Sequence, residues 1–116
     1  MSVAFNGIDN QVVTFLAETG EAGDSVSMED NNQVTKAPSG AAPVGILLNK
    51  RSGHGAVQIR GYVQVAYSGS AAPSLGWNRL VANGSGGMRV AASGENGRTC
   101  LVVNLNTIDK TMGLFL

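Results

Sequence analysis

Val57-Gln58-Ile59-Arg60-Gly61-Tyr62-Val63-Gln64-Val65 carries the longest alternating pattern in the chain. Aliphatic residues stand at every second position, with Gln58, Arg60, Tyr62 and Gln64 between them. Successive side chains of a β-strand point to opposite faces, so this spacing predicts one apolar face and one polar or amphipathic face. Gly61 interrupts the aliphatic set at its centre. A glycine inside a strand marks a bulge or a sharp bend, the device by which one strand serves two sheets or turns a barrel corner.

The segments on either side repeat the theme in shorter form. Residues 44–48 are almost wholly apolar and predict a strand covered on both faces; the loop Arg51-Ser52-Gly53-His54-Gly55 joins them to the long run. Further upstream, a β-rich run spans residues 11–16. The turn formers Glu29-Asp30-Asn31-Asn32 then separate strands at 24–28 and 33–36, which predicts a hairpin. Downstream, Asn83-Gly84-Ser85-Gly86-Gly87 sits between strand-like residues 75–82 and 88–92, and Asn-Gly is a hairpin signal. Two closing strands place Leu101, Val103 and Leu105 inward in one, with Cys100 opposite, and Met112, Leu114 and Leu116 inward in the other.

No window holds a helical period, because 16 glycines interrupt the chain. The fold expected is all-β: a small single-domain β-barrel or β-sandwich of about eight short antiparallel strands over residues 11–116, built around a single core. That core is expected to contain Val13, Val26, Val34, Ile46, Val57, Ile59, Val63, Val65, Val103, Leu105, Met112 and Leu114. Residues 1–10 read as an N-terminal arm. Its Val3, Phe5 and Ile8 are apolar groups that a free tail leaves in water, so a neighbouring subunit or another protein surface is expected to cover them.

Composition narrows the partners. Charged residues make up 14% of the chain, against about 25% in typical domains, which suggests surface covered by other chains. Eight cationic and eight acidic side chains cancel, and no basic block stands out. Phosphate binding relies on clustered cations, so no nucleic-acid partner is expected. The single Cys100 rules out an internal disulfide and fits folding in a reducing cytosol. Neither a secretory signal nor a membrane span is expected.

Chemistry needs convergent polar groups, and the sequence offers few. His54 is the only histidine, between two glycines; it reads as a solvated loop residue, or as a pH-sensitive contact in a functional reading. Zinc sites want more imidazoles or cysteines at close spacing. Cys100 in an apolar strand behaves as a small hydrophobe, although sequence leaves a dyad with His54 open. The acidic pairs Glu29-Asp30 and Glu18 with Glu21 lack the ligand spacing of a calcium loop, and Gly84-Ser85-Gly86-Gly87 lacks the Lys-Ser/Thr of a phosphate loop. Neither a catalytic residue nor a metal or other cofactor is therefore expected. Trp77, the sole tryptophan, reads either as an interface anchor or as a cap on one end of the core.

The order of these features resembles that of the small head decoration proteins of tailed bacteriophages and prophages. The resemblance runs through Gly23-Asp24-Ser25-Val26, Asn31-Asn32-Gln33-Val34, Pro43-Val44-Gly45-Ile46-Leu47 and Val57-Gln58-Ile59-Arg60-Gly61-Tyr62-Val63. It continues through the hairpin at 84–90 and the closing Leu101-Val102-Val103 and Gly113-Leu114-Phe115-Leu116. It implies a non-enzymatic virion protein, made in the host cytoplasm, that binds the major capsid protein on the capsid exterior as a homo-oligomer, with a trimer favoured, and stabilises the shell. Pattern alone adds Val3, Phe5, Ile8, Arg51, His54 and Trp77 as capsid or subunit contacts. Two other classes compete with this one. A small carbohydrate- or ligand-binding β-module of a phage particle would need clustered exposed aromatics, for which Tyr62, Tyr67 and Trp77 are the candidates; a small hydrolase would need a polar constellation that the chain hardly supplies.

Overall fold

The computed structural model describes residues 10–116, which contain ten strands and no helix. Strands β1 (Gln11–Ala17), β2 (Ser25–Asp30), β3 (Gln33–Lys36), β4 (Gly45–Arg51) and β5 (His54–Arg60) close into a barrel in the order β1-β3-β2-β4-β5. Strands β6 (Tyr62–Ala66), β7 (Gly76–Ala82), β8 (Met88–Val90), β9 (Arg98–Asn106) and β10 (Thr111–Phe115) form a second sheet, in the order β6-β10-β9-β7-β8. The chain is all-β, as its alternation predicts. The arm expected at residues 1–10, with Val3, Phe5 and Ile8, lies outside the described residues except for Asn10.

Residues 57–65 are one run in sequence and two strands in space. Gly61 turns the corner between them with φ 108°, a backbone region that side chains disfavour. A Cβ at this position would also strike Asn10. Buried Gln58 braces the corner, its Nε2 donating to the carbonyls of Arg60 at 3.2 Å and Tyr62 at 3.1 Å. The Gly61 carbonyl accepts from the Leu116 amide at 3.0 Å, so the chain's last residue is bonded at the same corner.

An odd number of strands cannot close with every neighbour antiparallel. The five-stranded barrel accordingly contains one parallel pair, β1 with β3, in which Leu16 and Ala17 face Gln33 and Val34. The second sheet curls until its outer strands nearly meet. Tyr67 and Met88 form a single parallel bridge, and Ser68 N donates to the Met88 carbonyl at 3.1 Å.

The expected single core is divided. Ala17, Val26, Val34, Leu47 and Val57 fill the barrel. Ile46, Val63, Val65, Tyr67, Leu80, Met88, Cys100, Val102, Met112 and Leu114 form the other cluster, with Leu105 and Leu116 packed against it. Adjacent residues of β4 join the two, since Ile46 serves the second core and Leu47 the barrel. That is the doubly covered strand read from residues 44–48, although the cover ends at Leu47 and Leu48 is 41% exposed. Polar bonds reinforce the joint. The Arg98 guanidinium on β9 donates to the carbonyls of Val44 at 2.8 Å and Ile59 at 2.9 Å, and Ser25 Oγ donates to the Gly87 carbonyl at 2.9 Å.

Strand β9 departs from the expected facing. Cys100 and Val102 are buried, whereas Leu101 and Val103 are half-buried. Strand β10 pairs Leu114 with Val102 and Gly113 with Asn104, which passes over Val103. That bulge shifts the alternation by one residue, so Leu105 returns to the packed side together with Cys100 and Val102. Val13 and Ile59, also expected in the core, are half-buried. The loop expected at 51–55 is tighter as well: only Ser52 and Gly53 turn, both at positive φ, and Arg51 pairs with His54 in the ladder.

Candidate functional site

Backbone pairing in the second sheet builds a side-chain row that no local stretch of sequence contains. Phe115 on β10 faces Tyr62 on β6 and Leu101 on β9, and Leu101 faces Trp77 on β7. Directly opposed residues share a face, so Tyr62, Phe115, Leu101 and Trp77 cross four strands on one side of the sheet. The buried Val63, Leu114 and Val102 occupy the other side. The row is therefore the sheet's outer face.

The row changes character along its length. At the β6 end the rings of Tyr62 and Phe115 meet edge to face, with centroids 5.7 Å apart. The Tyr62 hydroxyl accepts from Asn104 Nδ2 at 3.0 Å and from Gln64 Nε2 at 3.4 Å. Gly113 makes room for this cluster, because a Cβ there would run into the Tyr62 hydroxyl and the Asn104 carboxamide. At the β7 end the cover stops. Trp77 is 71% exposed, which excludes the reading of it as a core cap, and nearby Leu75 is exposed as well.

The other sequence candidates lie elsewhere. Arg51 and His54 are opposed at the tip of the β4–β5 hairpin, both exposed, with His54 Nδ1 3.2 Å from the Ser52 carbonyl. They belong to the barrel, and the structure does not bring them into the row that holds Trp77. Val3, Phe5 and Ile8 are outside the described residues. Tyr67 is buried in the second core, so of the three aromatics offered for ligand binding only Tyr62 and Trp77 reach the outer face.

Polar chemistry does not converge on either region. Among the described residues, no group of three or more His, Cys, Asp or Glu side chains is placed to hold a metal. Cys100 is buried, and desolvation pushes its thiol above the ordinary value, while His54 is exposed on the other sheet. The tightest polar pair is Arg89 with Glu95, two parallel bonds of 2.7 Å, with Glu95 Oε1 also accepting from the Ala92 amide at 2.8 Å. The Arg89 hydrogen bonds and then the Ala92 amide lower the Glu95 carboxyl to about 2. Both partners of that pair are already engaged, and Arg89 also reaches Ser39 Oγ at 3.3 Å, so it is a brace between loops.

The outer row is thus an apolar and aromatic stripe with amides hydrogen-bonded at the Tyr62 end and an exposed indole at the other. Sequence pattern singled out Trp77 and Tyr62 but missed Phe115 and Leu101. Their only signal is the strand order β6-β10-β9-β7, which is set by long-range pairing. No protein-family model matches this chain, and no curated protein sequence matches it.

Proposed function

We propose that the chain is a non-enzymatic virion structural protein that binds the outer surface of an assembled phage capsid as a homo-oligomer and stabilises it. The observation that carries this reading is Trp77, standing 71% exposed at the end of an apolar row on a regular sheet face. Large exposed aromatics beside other apolar groups favour protein contact, and tryptophan is prominent among the residues that dominate interface energies. The resemblance of the sequence layout to head decoration proteins points to the partner proposed, the major capsid protein on the virion exterior. Low charge and the closed β architecture are consistent with this role.

The reading as a glycan- or ligand-binding module is less supported, since it called for clustered exposed aromatics and Tyr67 is internal. Co-sedimentation with purified capsids of the phage or prophage that encodes the chain tests the proposal. The protein should pellet with the shells and raise their disruption temperature. Trp77→Ala should weaken binding by about thirtyfold, the size of a 2 kcal/mol hot spot, while leaving the fold intact. Absence of pelleting at saturating protein would overturn the proposal.

A further inference from the structure

Two Asn-Gly pairs stand among the described residues, Asn83-Gly84 and Asn96-Gly97. In such a pair the glycine nitrogen can attack the neighbouring carboxamide carbon, because no Cβ hinders its approach. The dipeptides are identical in sequence, and the fold separates them. The Asn83 carboxamide is clamped: its Oδ1 accepts from the amides of Ser85 at 2.8 Å and Gly87 at 3.0 Å, and its Nδ2 donates to Ser68 Oγ at 2.9 Å. The Asn83 amide also donates to the Gly87 carbonyl at 3.2 Å, which closes the same turn. Asn96 is exposed in the loop between β8 and β9, and neither its carboxamide nor the Gly97 amide has a hydrogen-bond partner among the described residues. The residues around this pair are anchored, Glu95 by Arg89 and the Ala92 amide, Arg98 by the carbonyls of Val44 and Ile59. The reacting groups are free between two fixed neighbours.

We infer that Asn96 is a site of spontaneous covalent modification, converting to aspartate and isoaspartate through attack by the Gly97 nitrogen, and that the folded chain protects Asn83 from the same reaction. The new bond joins Gly97 N to Asn96 Cγ. The Cγ–Nδ2 bond breaks, and the Gly97 amide proton leaves with the departing nitrogen as ammonia. Water then opens the cyclic imide at either carbonyl. One opening gives aspartate; the other gives isoaspartate, whose backbone runs through the side-chain carbon and is one methylene longer. Either product adds a carboxylate to a chain whose formal net charge is zero. The longer backbone falls between the Arg89–Glu95 brace and the Arg98 bonds to the barrel, where it loosens the register of one against the other. This chemistry needs only water and does not depend on whether the protein binds a capsid.

Ageing the purified full chain in mildly alkaline buffer tests this. Tryptic cleavage after Arg79, Arg89 and Arg98 places Asn83 and Asn96 in separate peptides, 80–89 and 90–98, each with a single asparagine. Mass spectrometry should show peptide 90–98 gaining deamidated product at least roughly tenfold faster than peptide 80–89, the factor expected when two or more hydrogen bonds must first break. Labelling of isoaspartate by enzymatic methyl transfer from S-adenosylmethionine should mark peptide 90–98. In concentrated guanidinium chloride the two peptides should react at similar rates. Equal rates in the folded chain would overturn the proposal, and so would a ratio that persists in denaturant, by tracing the difference to neighbouring residues instead of the fold. Faster reaction at Asn83 would also overturn it, and would mean that the Ser85 and Gly87 amides stabilise the oxyanion of the attack instead of restraining the carboxamide.

Discussion

The barrel and the second sheet solve the same problem with different materials. The barrel closes on itself, so its strands leave no free edge, and among the described residues its fully buried cluster is made of the compact side chains of Ala17, Val26, Val34, Leu47 and Val57. The second sheet stops short of closure. Its core holds larger and more flexible groups, including Met88, Met112 and Tyr67, and its outer face keeps the row that ends at Trp77. Closure removes edges that another chain could use, whereas the second sheet leaves an apolar and aromatic row open to solvent at its Trp77 end. The exposed Trp77 and the row it ends accordingly lie on the second sheet, and the barrel packs beside that sheet through β4 and the Arg98 bonds.

The most forceful way to break this comparison is a charge inside the barrel. Val57 is fully buried among Ala17, Val26, Val34 and Leu47, with no cation among them. Val57→Asp should prevent folding of the whole chain, since burying an unpaired carboxylate costs more than the roughly 5–15 kcal/mol by which small domains are stable. Loss of both sheets together in circular dichroism and near-ultraviolet spectra is the expected outcome. A second sheet that stayed folded would mean that the two cores are independent, contrary to the shared β4 and the Arg98 bonds.

A smaller effect should follow from Gly61→Ala, which acts at the corner between the two regions. The substitution places a methyl group against Asn10 and holds an alanine at φ 108°. A cost of about 1–3 kcal/mol in denaturant unfolding is expected from the backbone conformation alone. An unchanged midpoint would show that the corner tolerates a side chain and that the two sheets are less tightly coupled than the Gln58 brace suggests.

What the sequence disclosed follows from how local each signal is. The corner at Gly61 was legible because a glycine interrupts an otherwise strict alternation. The double cover of Ile46 and Leu47 was legible because both neighbours are apolar. Strand β9 misled because a bulge at Val103 resets the alternation, and nothing in Cys100-Leu101-Val102-Val103 marks where the extra residue falls. The parallel β1–β3 pair follows from the parity of five strands, which becomes visible only once closure is known. The outer row was half legible for the same reason. Trp77 and Tyr62 draw notice as residues, but their connection through Phe115 and Leu101 depends on pairing between distant strands.

The smallest expected effect separates the regions by acid. The bidentate Arg89–Glu95 pair ties β8 to the loop that follows it, and Ser39 attaches the segment before β4 to the same guanidinium. In the barrel, the corresponding ion pair is the looser contact of Lys36 with Asp24 at 4.0 Å. The Glu95 carboxyl lies at about 2 in the folded chain against an ordinary value of 4.5. Because the folded value is the lower one, the pair's contribution is fully present above about pH 4.5 and is lost as pH falls toward 2. Both side chains are partly open to solvent, so the contribution is modest and screened by salt. Between pH 5 and pH 2, hydrogen exchange in β8 should rise relative to β2, and Glu95→Gln should show that faster exchange already at pH 5 and little further change. Equal responses of β8 and β2, with Glu95→Gln indistinguishable from the parent chain, would mean that the brace adds nothing to the open end of the second sheet.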